Sequence, residues 1–311
     1  MPLSSWILSE GYAGLQAQVL GLAEAASLDP ELRVLEPRPP WRWAPAALWP
    51  APLAAVGSRV LSPPWPDLLI GCGGVAAAVG AGMRRRGKAV VQVQHPRMDP
   101  RKFDLVVVNR HDELTGPNVL VTRTALHRVT PERLAEAARV WGPRLAHLPR
   151  PLVAVLVGGT NGRFRLNEGV GRQLASELAT MMRLDKTGLA LTPSRRTDPA
   201  VNRVLREVLA PLGAWIWDGS GDNPYFGLLA LADAFVVTMD SVSMVSESVA
   251  THAPVMLARL PGRSRRIGLF AQGLIEDGRI RPFAGRLETW PVEPVNDTQE
   301  AAAEMRRRLG F

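Results

Sequence analysis

The chain has 311 residues, 46% of them hydrophobic and 21% charged, which suits two globular domains and excludes disorder as its main state. Its 37 basic against 29 acidic residues give a net charge of +8, carried by arginine, since only Lys88, Lys102 and Lys186 are lysines. A lone cysteine, Cys72, excludes an internal disulfide framework and a cysteine-based zinc cluster, and no metal site is expected.

Short apolar runs alternate with helix-length amphipathic segments along the whole chain. Ser5 to Leu8 reads as a strand and Leu15 to Ala26 as a helix; Asp67 to Ile70 is a strand that ends in glycines and leads into a small-residue helix, Val75 to Arg85. Ala89 to Val93 and Leu105 to Val108 are two more strands of the fully buried kind. Thr130 to Trp141 reads as a helix, with Thr130 as N-cap and Pro131 at its first position. Pro143, Pro149 and Pro151 then mark an expected linker between domains. The rhythm restarts with the strand Leu152 to Val157 and a helix from Glu168 to Arg183. Further strands are expected at Leu189 to Leu191, Ala214 to Trp217, Ala234 to Thr238 and Val255 to Leu257. This pattern predicts two successive α/β units with parallel sheets, joined near residue 147.

One segment breaks the rhythm. Between Pro37 and Pro66 lie nine prolines and four tryptophans, Trp41, Trp43, Trp49 and Trp65. Prolines exclude regular structure over much of it. It reads either as an irregular loop packed on the first unit or as an acceptor-binding or membrane-facing surface. No segment predicts a membrane-spanning helix: the most apolar stretch, Tyr225 to Met239, is shorter than the roughly 20 residues required and contains Asp233. The first thirty residues contain neither Lys nor Arg, so no secretory signal or transit peptide is expected there, and the chain reads as cytoplasmic. The basic residues form no single stripe and match no zinc-finger or basic-zipper pattern, so nucleic acid is not an expected partner.

Four loops of the second half each follow an expected strand and carry hydroxyl, arginine or glycine chemistry. In Gly158-Gly159-Thr160-Asn161-Gly162-Arg163-Phe164-Arg165, glycines let backbone amides approach an anion and arginines supply bidentate phosphate contacts. Thr192-Pro193-Ser194-Arg195-Arg196-Thr197 offers two more arginines at the same sheet edge, where ligands of doubly wound folds bind. Asp218 to Tyr225 includes Asn223 before a helix start. Asp240 to Glu247 places Ser241 and Ser243 at a helix N-terminus, an anion cradle, with Glu247 one to two turns in, placed to hold ribose hydroxyls. A tight turn, a solvated loop, an ordinary N-cap and an i,i+4 pair of Ser243 with Glu247 are the respective structural alternatives. Together the loops read as a nucleotide site.

These motifs, with Asp104-Leu105-Val106-Val107-Val108, His111-Asp112 and Gly116 to Arg123 in the first half, resemble the mitochondrial-fission "elongated mitochondria" family, which has plant and bacterial members. The resemblance covers nearly the whole chain. It implies a GT-B-like glycosyltransferase architecture, two Rossmann-like domains whose parallel sheets face an interdomain cleft. Residues 1–147 would be the acceptor domain, 148–296 the nucleotide-sugar domain, and 297–311 a helix returning to the first. The segment Asp240 to Pro254 is similar to the nucleotide-sugar site of the peptidoglycan N-acetylglucosaminyltransferase group, which implies ribose binding by Glu247. The implied function is transfer of a sugar from a nucleoside-diphosphate donor to a hydroxyl of a lipid or envelope saccharide. It would be metal-free and performed in peripheral contact with an anionic membrane at its inner face. His95, in the loop after a first-half strand, is the candidate base, with Asp112 beside the rival His111. The loop Glu10 to Gly14 lacks the lysine, histidine and acidic positions associated with the family, and His95 stands where an aspartate is common. The alternative is therefore a non-catalytic nucleotide-binding adaptor of the fission-family type.

Overall fold

The computed structural model describes residues 3–57 and 59–311. They form two compact units, one made of the described residues up to 128 with 296–311 and the other of residues 129–295. In chain order the first contains β1 (Ser5–Ser9), α1 (Ala13–Ala25), β2 (Glu31–Val34), α2 (Pro52–Ala55), β3 (Leu68–Cys72), α3 (Gly74–Arg84), β4 (Ala89–Val93), β5 (Leu105–Asn109) and β6 (Val119–Thr122). The second contains α4 (Pro131–Leu145), β7 (Leu152–Val157), α5 (Glu168–Asp185), β8 (Gly188–Pro193), α6 (Pro199–Leu209), β9 (Trp215–Ile216), α7 (Tyr225–Leu231), β10 (Ala234–Thr238), α8 (Val242–Val249), β11 (Val255–Ala258), α9 (Arg265–Glu276) and β12 (Ile280–Pro282). The last helix, α10 (Thr298–Leu309), belongs to the first unit.

Each unit is built on a six-stranded sheet, ordered β2-β1-β3-β4-β5-β6 in the first and β12-β11-β10-β7-β8-β9 in the second. Every strand pair is parallel. Parallel sheets are covered on both faces, which is why the central strands read as unbroken apolar runs. The edge strands β2 and β12 carry no such run (Glu31 to Val34 is largely exposed), and neither they nor β6, whose run is only Val119-Leu120-Val121, were anticipated.

In the first unit α3 is apolar on every side, with Val75 to Met83 all buried, so it needs cover away from the sheet as well as against it. The cover is the Pro/Trp segment, which is the β2-to-β3 crossover and takes the place of a regular helix. Trp49, Ala55, Val56 and Leu61 enter the same core as Trp6, Leu8 and Leu69. Trp49 and Trp65 satisfy their indole N–H groups on the carbonyls of Ala44 and Leu61 at 3.1 and 2.8 Å. On the other face α10 buries Ala301, Ala302 and Met305 with Val19 and Leu22 of α1. Asp297 anchors its start by accepting from the backbone amides of Arg123 and Thr124 at 2.5 and 3.0 Å.

The division between units falls at residue 128, earlier than the expected boundary near 147. The reason lies in α4, an amphipathic helix whose apolar side meets α7 and β9. Buried Trp141 packs over Gly227 and stands edge-on to Trp215, ring centroids 6.0 Å apart. Arg144 of the same helix pairs with Asp222 at 3.1 Å. Pro143, expected in a linker, sits in the last turns of α4. A Cβ on Gly227 would lie 2.3 Å from the Trp141 ring, so this glycine sets how closely α4 approaches. Gly227→Ala should destabilise the second unit by about 1–3 kcal/mol through overpacking, measured as a lowered urea midpoint with an unchanged slope.

Candidate functional site

A doubly wound sheet opens a crevice where the chain reverses its direction of winding, and in the second unit that point lies between β7 and β10. The loops following these two strands meet around one carboxylate. Asp240, its side chain fully buried at 0% exposure, accepts from the Gly159 amide at 3.0 Å and Arg196 Nη2 at 2.9 Å on Oδ2. Its Oδ1 accepts from the Thr238 hydroxyl at 2.7 Å, and Thr238 in turn accepts from the Gly158 amide at 2.8 Å. The loop after β8 closes the circuit. Ser194 and Thr197 donate to the Gly158 carbonyl, and Arg196 Nη1 donates to the Gly159 carbonyl at 3.2 Å.

The glycine pair is dictated by this packing. A Cβ on Gly158 would fall 2.3 Å from both carboxylate oxygens of Asp240, and one on Gly159 would fall 2.1 Å from the Arg196 carbonyl. Three loops from three strands are thus fixed against each other by a buried ion.

Several side chains expected to face a ligand are instead engaged in building these loops. Thr160 Oγ1 accepts from the Leu166 amide at 2.9 Å and donates back to its carbonyl. Asn161 Oδ1 accepts from the amides of Arg163 and Phe164 at 2.8 and 2.9 Å. Ser241 caps α8 by accepting from the Met244 amide, and Asn223 accepts from the Tyr225 amide at 3.0 Å. Of the expected set, Arg163 and Arg195 are exposed and form no carboxylate ion pair among the described residues. Ser243 lies in the first turn of α8, where helix amides lack intrahelical acceptors.

Glu247 is buried on the second turn of α8, and its carboxylate accepts a short hydrogen bond from the Tyr225 hydroxyl at the start of α7. The expected alternative, a pair with Ser243, is not formed. Burial pushes the Glu247 carboxyl up to about 7, while the Tyr225 hydrogen bond acts in the opposite direction. Burial, and then the neighbouring carboxylate, hold the Tyr225 hydroxyl well above its ordinary value, so it remains the donor.

The candidate catalytic residues of the first unit follow adjacent parallel strands, His95 after β4 and Asp112 after β5. Both are tied into their own turns. His95 Nδ1 accepts from the Arg97 amide at 2.8 Å, which places the proton of a neutral imidazole on Nε2. Asp112 closes a capping box with Asn109, accepting from its amide at 3.3 Å. At the switch point of this unit, between β1 and β3, Glu10 Oε1 accepts from the Val75 amide at 3.1 Å and caps the N-terminus of α3.

The residues that the sequence did not single out are Asp240 as organising centre and Tyr225 as partner of Glu247. Both stood inside recognised motifs. The signal for Asp240 was an acidic residue directly after a buried strand and opposite paired glycines. Asp240→Asn should lower stability by about 2–3 kcal/mol, because an amide nitrogen must then face a donor; the midpoint of chemical denaturation reads it directly. Glu247 has the opposite effect. Its carboxyl binds a proton more tightly folded than unfolded, so its contribution is fully present below 4.5 and is lost as pH rises through about 7. Glu247→Gln should flatten the pH dependence of the melting temperature across that window.

Comparison with known proteins places the chain. The family model for Mitochondrial fission ELM1 matches residues 13–309. The mitochondrial fission protein ELM1 of Arabidopsis thaliana is 34% identical over 274 residues, 78% of this chain and 64% of that protein, so the chain spans less than two thirds of its length. A Rickettsia prowazekii protein, RP120, is 24% identical over 76% of this chain and 78% of its own. Among solved structures, MurG of Acinetobacter baumannii superposes with a TM-score of 0.55 at 14% identity, covering 99% of this chain and 90% of that one. The UDP-GlcNAc 2-epimerase of Methanocaldococcus jannaschii gives 0.58 at 10% identity over 99% of both chains. Medicago truncatula UGT71G1, solved with UDP-glucose, gives 0.56 at 12% identity over 98% and 89%. At such identities the likeness is one of fold, that of the GT-B glycosyltransferases and their epimerase relatives. The sequence matches carry the descent: the chain belongs to the mitochondrial fission ELM1 family.

Proposed function

We propose that the second unit binds a nucleoside-diphosphate sugar and that the protein transfers the sugar to a hydroxyl acceptor. The observation carrying this reading is the buried Glu247 carboxylate on α8, one helical turn beyond Ser243 and beside the switch point organised by Asp240. A carboxylate at that depth is an acceptor for paired ribose hydroxyls, and Tyr225 holds it in one orientation while leaving the other oxygen to a ligand. Arg163 and Arg195 are the guanidinium groups suited to the diphosphate, and Ser243 and the first amides of α8 are the neutral donors suited to it. As the bond to the sugar breaks, charge develops on the departing diphosphate, and fixed guanidinium and amide donors stabilise it without reorganising. Fold neighbours solved with UDP-glucose or acting on UDP-GlcNAc support the donor class.

A second reading, nucleotide binding without transfer, is favoured by the first unit. His95 and Asp112, the groups offered for acceptor deprotonation, both serve local turns. Titration calorimetry with UDP-, GDP- and CDP-sugars should detect one donor class. Glu247→Gln and Arg163→Ala should each weaken it about tenfold or more, as expected for a lost charge-assisted hydrogen bond, with circular dichroism unchanged in both and the melting temperature little changed by Arg163→Ala. Absence of binding to all three classes overturns the proposal. Binding without donor turnover in the presence of membrane extract, unchanged by His95→Ala, selects the second reading.

A further inference from the structure

The Pro/Trp crossover of the first unit divides its tryptophans. Trp49 is buried at 8% exposure and Trp41 stands edge-on against it at 6.0 Å, so both belong to the core. Trp43 and Leu48, at the ends of two successive 3₁₀ turns, are 70% and 75% exposed. Ala44, Pro45 and Ala47 between them are exposed as well, which makes a continuous apolar tip. A tryptophan and a leucine left in water on a segment that buries its other large apolar groups mark a contact surface.

Within the crossover itself the charge is of one sign. From Pro37 to Pro66 the chain carries Arg38, Arg42 and Arg59 and no acidic residue. The Arg42 guanidinium lies over the Trp43 ring at 5.1 Å, and Arg86, beyond the C-terminus of α3, lies over Trp65 at 5.0 Å. None of these four arginines forms a carboxylate ion pair among the described residues. The flanking acids are Glu36, which is exposed, and Asp67, which is held by the Ser4 amide and hydroxyl at 3.1 and 2.6 Å.

We propose that this tip docks on an anionic lipid bilayer, with Trp43 and Leu48 entering the interfacial layer and the arginines around them facing lipid phosphates. Tryptophan partitions to that layer because it is apolar on its faces and polar at one edge, and arginine beside it adds attraction to anionic headgroups. The contact is peripheral, since no helix among the described residues is long and apolar enough to cross a membrane. This inference is independent of the proposed donor chemistry.

Co-sedimentation of the full chain with vesicles of phosphatidylcholine, alone or mixed with phosphatidylserine, tests it. Binding is expected to the mixed vesicles and to fall as salt is raised. Trp43→Ser with Leu48→Ser should weaken it about a hundredfold by removing the buried apolar area. Arg42→Gln should weaken it about fivefold, and Trp43→Phe should retain most of it. Circular dichroism and melting temperature should be unchanged in all variants, because neither Trp43 nor Leu48 contributes to the core. Equal binding to both vesicle types, or binding indifferent to the double substitution, overturns the proposal. So does vesicle-independent self-association lost on the same substitutions, which would make the tip an interface between copies of this chain.

Discussion

The second unit depends on placing one ionised side chain, Asp240, out of water. A buried carboxylate is costly unless its lone pairs are filled, and here the Gly159 amide, the Thr238 hydroxyl and the Arg196 guanidinium fill them. The rest of the site follows from that requirement. Gly158 must be glycine because the carboxylate lies against it, and Arg196, itself exposed, reaches inward to the same oxygen as the Gly159 amide. The loop after β8 is drawn in through Ser194 and Thr197. The chain then enters α8 directly, with Ser241 as its cap, and this sets the depth at which Glu247 is held.

The two units use the same topology differently. In each, a loop after the first strand faces a helix start across the switch point. In the first unit the Glu10 carboxylate reaches that helix and caps it, and the same oxygen would lie 2.4 Å from a Cβ on Gly73. A carboxylate seated on the helix terminus fills its anion position and repels a second anion there. In the second unit the acidic residue is turned away, toward the glycine pair, and α8 keeps an N-terminus lined with serines. The helix terminus at the switch point thus carries a seated carboxylate in the first unit and serines in the second.

The architecture was legible because parallel central strands are written as apolar runs, such as Leu105 to Val108 and Leu152 to Val157, and because helices announce themselves through caps such as Thr130. The edge strand β2 was not legible, since a half-exposed strand of Glu31-Leu32-Arg33-Val34 has no run to read. The helix α4 was assigned to the wrong side of the boundary because its partners, Trp215 and Gly227, lie far along the chain. Within these loops the direction of the side-chain hydrogen bonds was not legible. A threonine or asparagine after a strand looks the same whether it serves a ligand or, like Thr160 and Asn161, its own backbone. The same ambiguity applied to the tryptophans of the crossover, where only packing separates Trp49 from Trp43.

The arginine excess acquires a meaning in three dimensions that composition could not give it. A compositional bias would scatter arginines among acids, and many are so placed, as Arg286 with Asp185 or Arg281 with Glu288. The loop after β7 is different: residues 159–167 contain Arg163 and Arg165 and no acid, and residues 258–264 contain Arg259 and Arg263 and no acid. These two stretches are held together by backbone. Phe164 and Gly262 form an antiparallel bridge, and the Arg165 and Arg263 amides donate to Pro261 and Arg163 at 2.9 and 3.2 Å. Gly262, at φ of 139° and with a would-be Cβ 2.2 Å from the Arg163 carbonyl, is the residue that lets them approach. Like charges brought together by a backbone pairing repel unless an anion lies between them. The fold therefore brings Arg163, Arg165, Arg259 and Arg263 together at the sheet edge that carries the Asp240 circuit, and Asp240 itself is neutralised by Arg196.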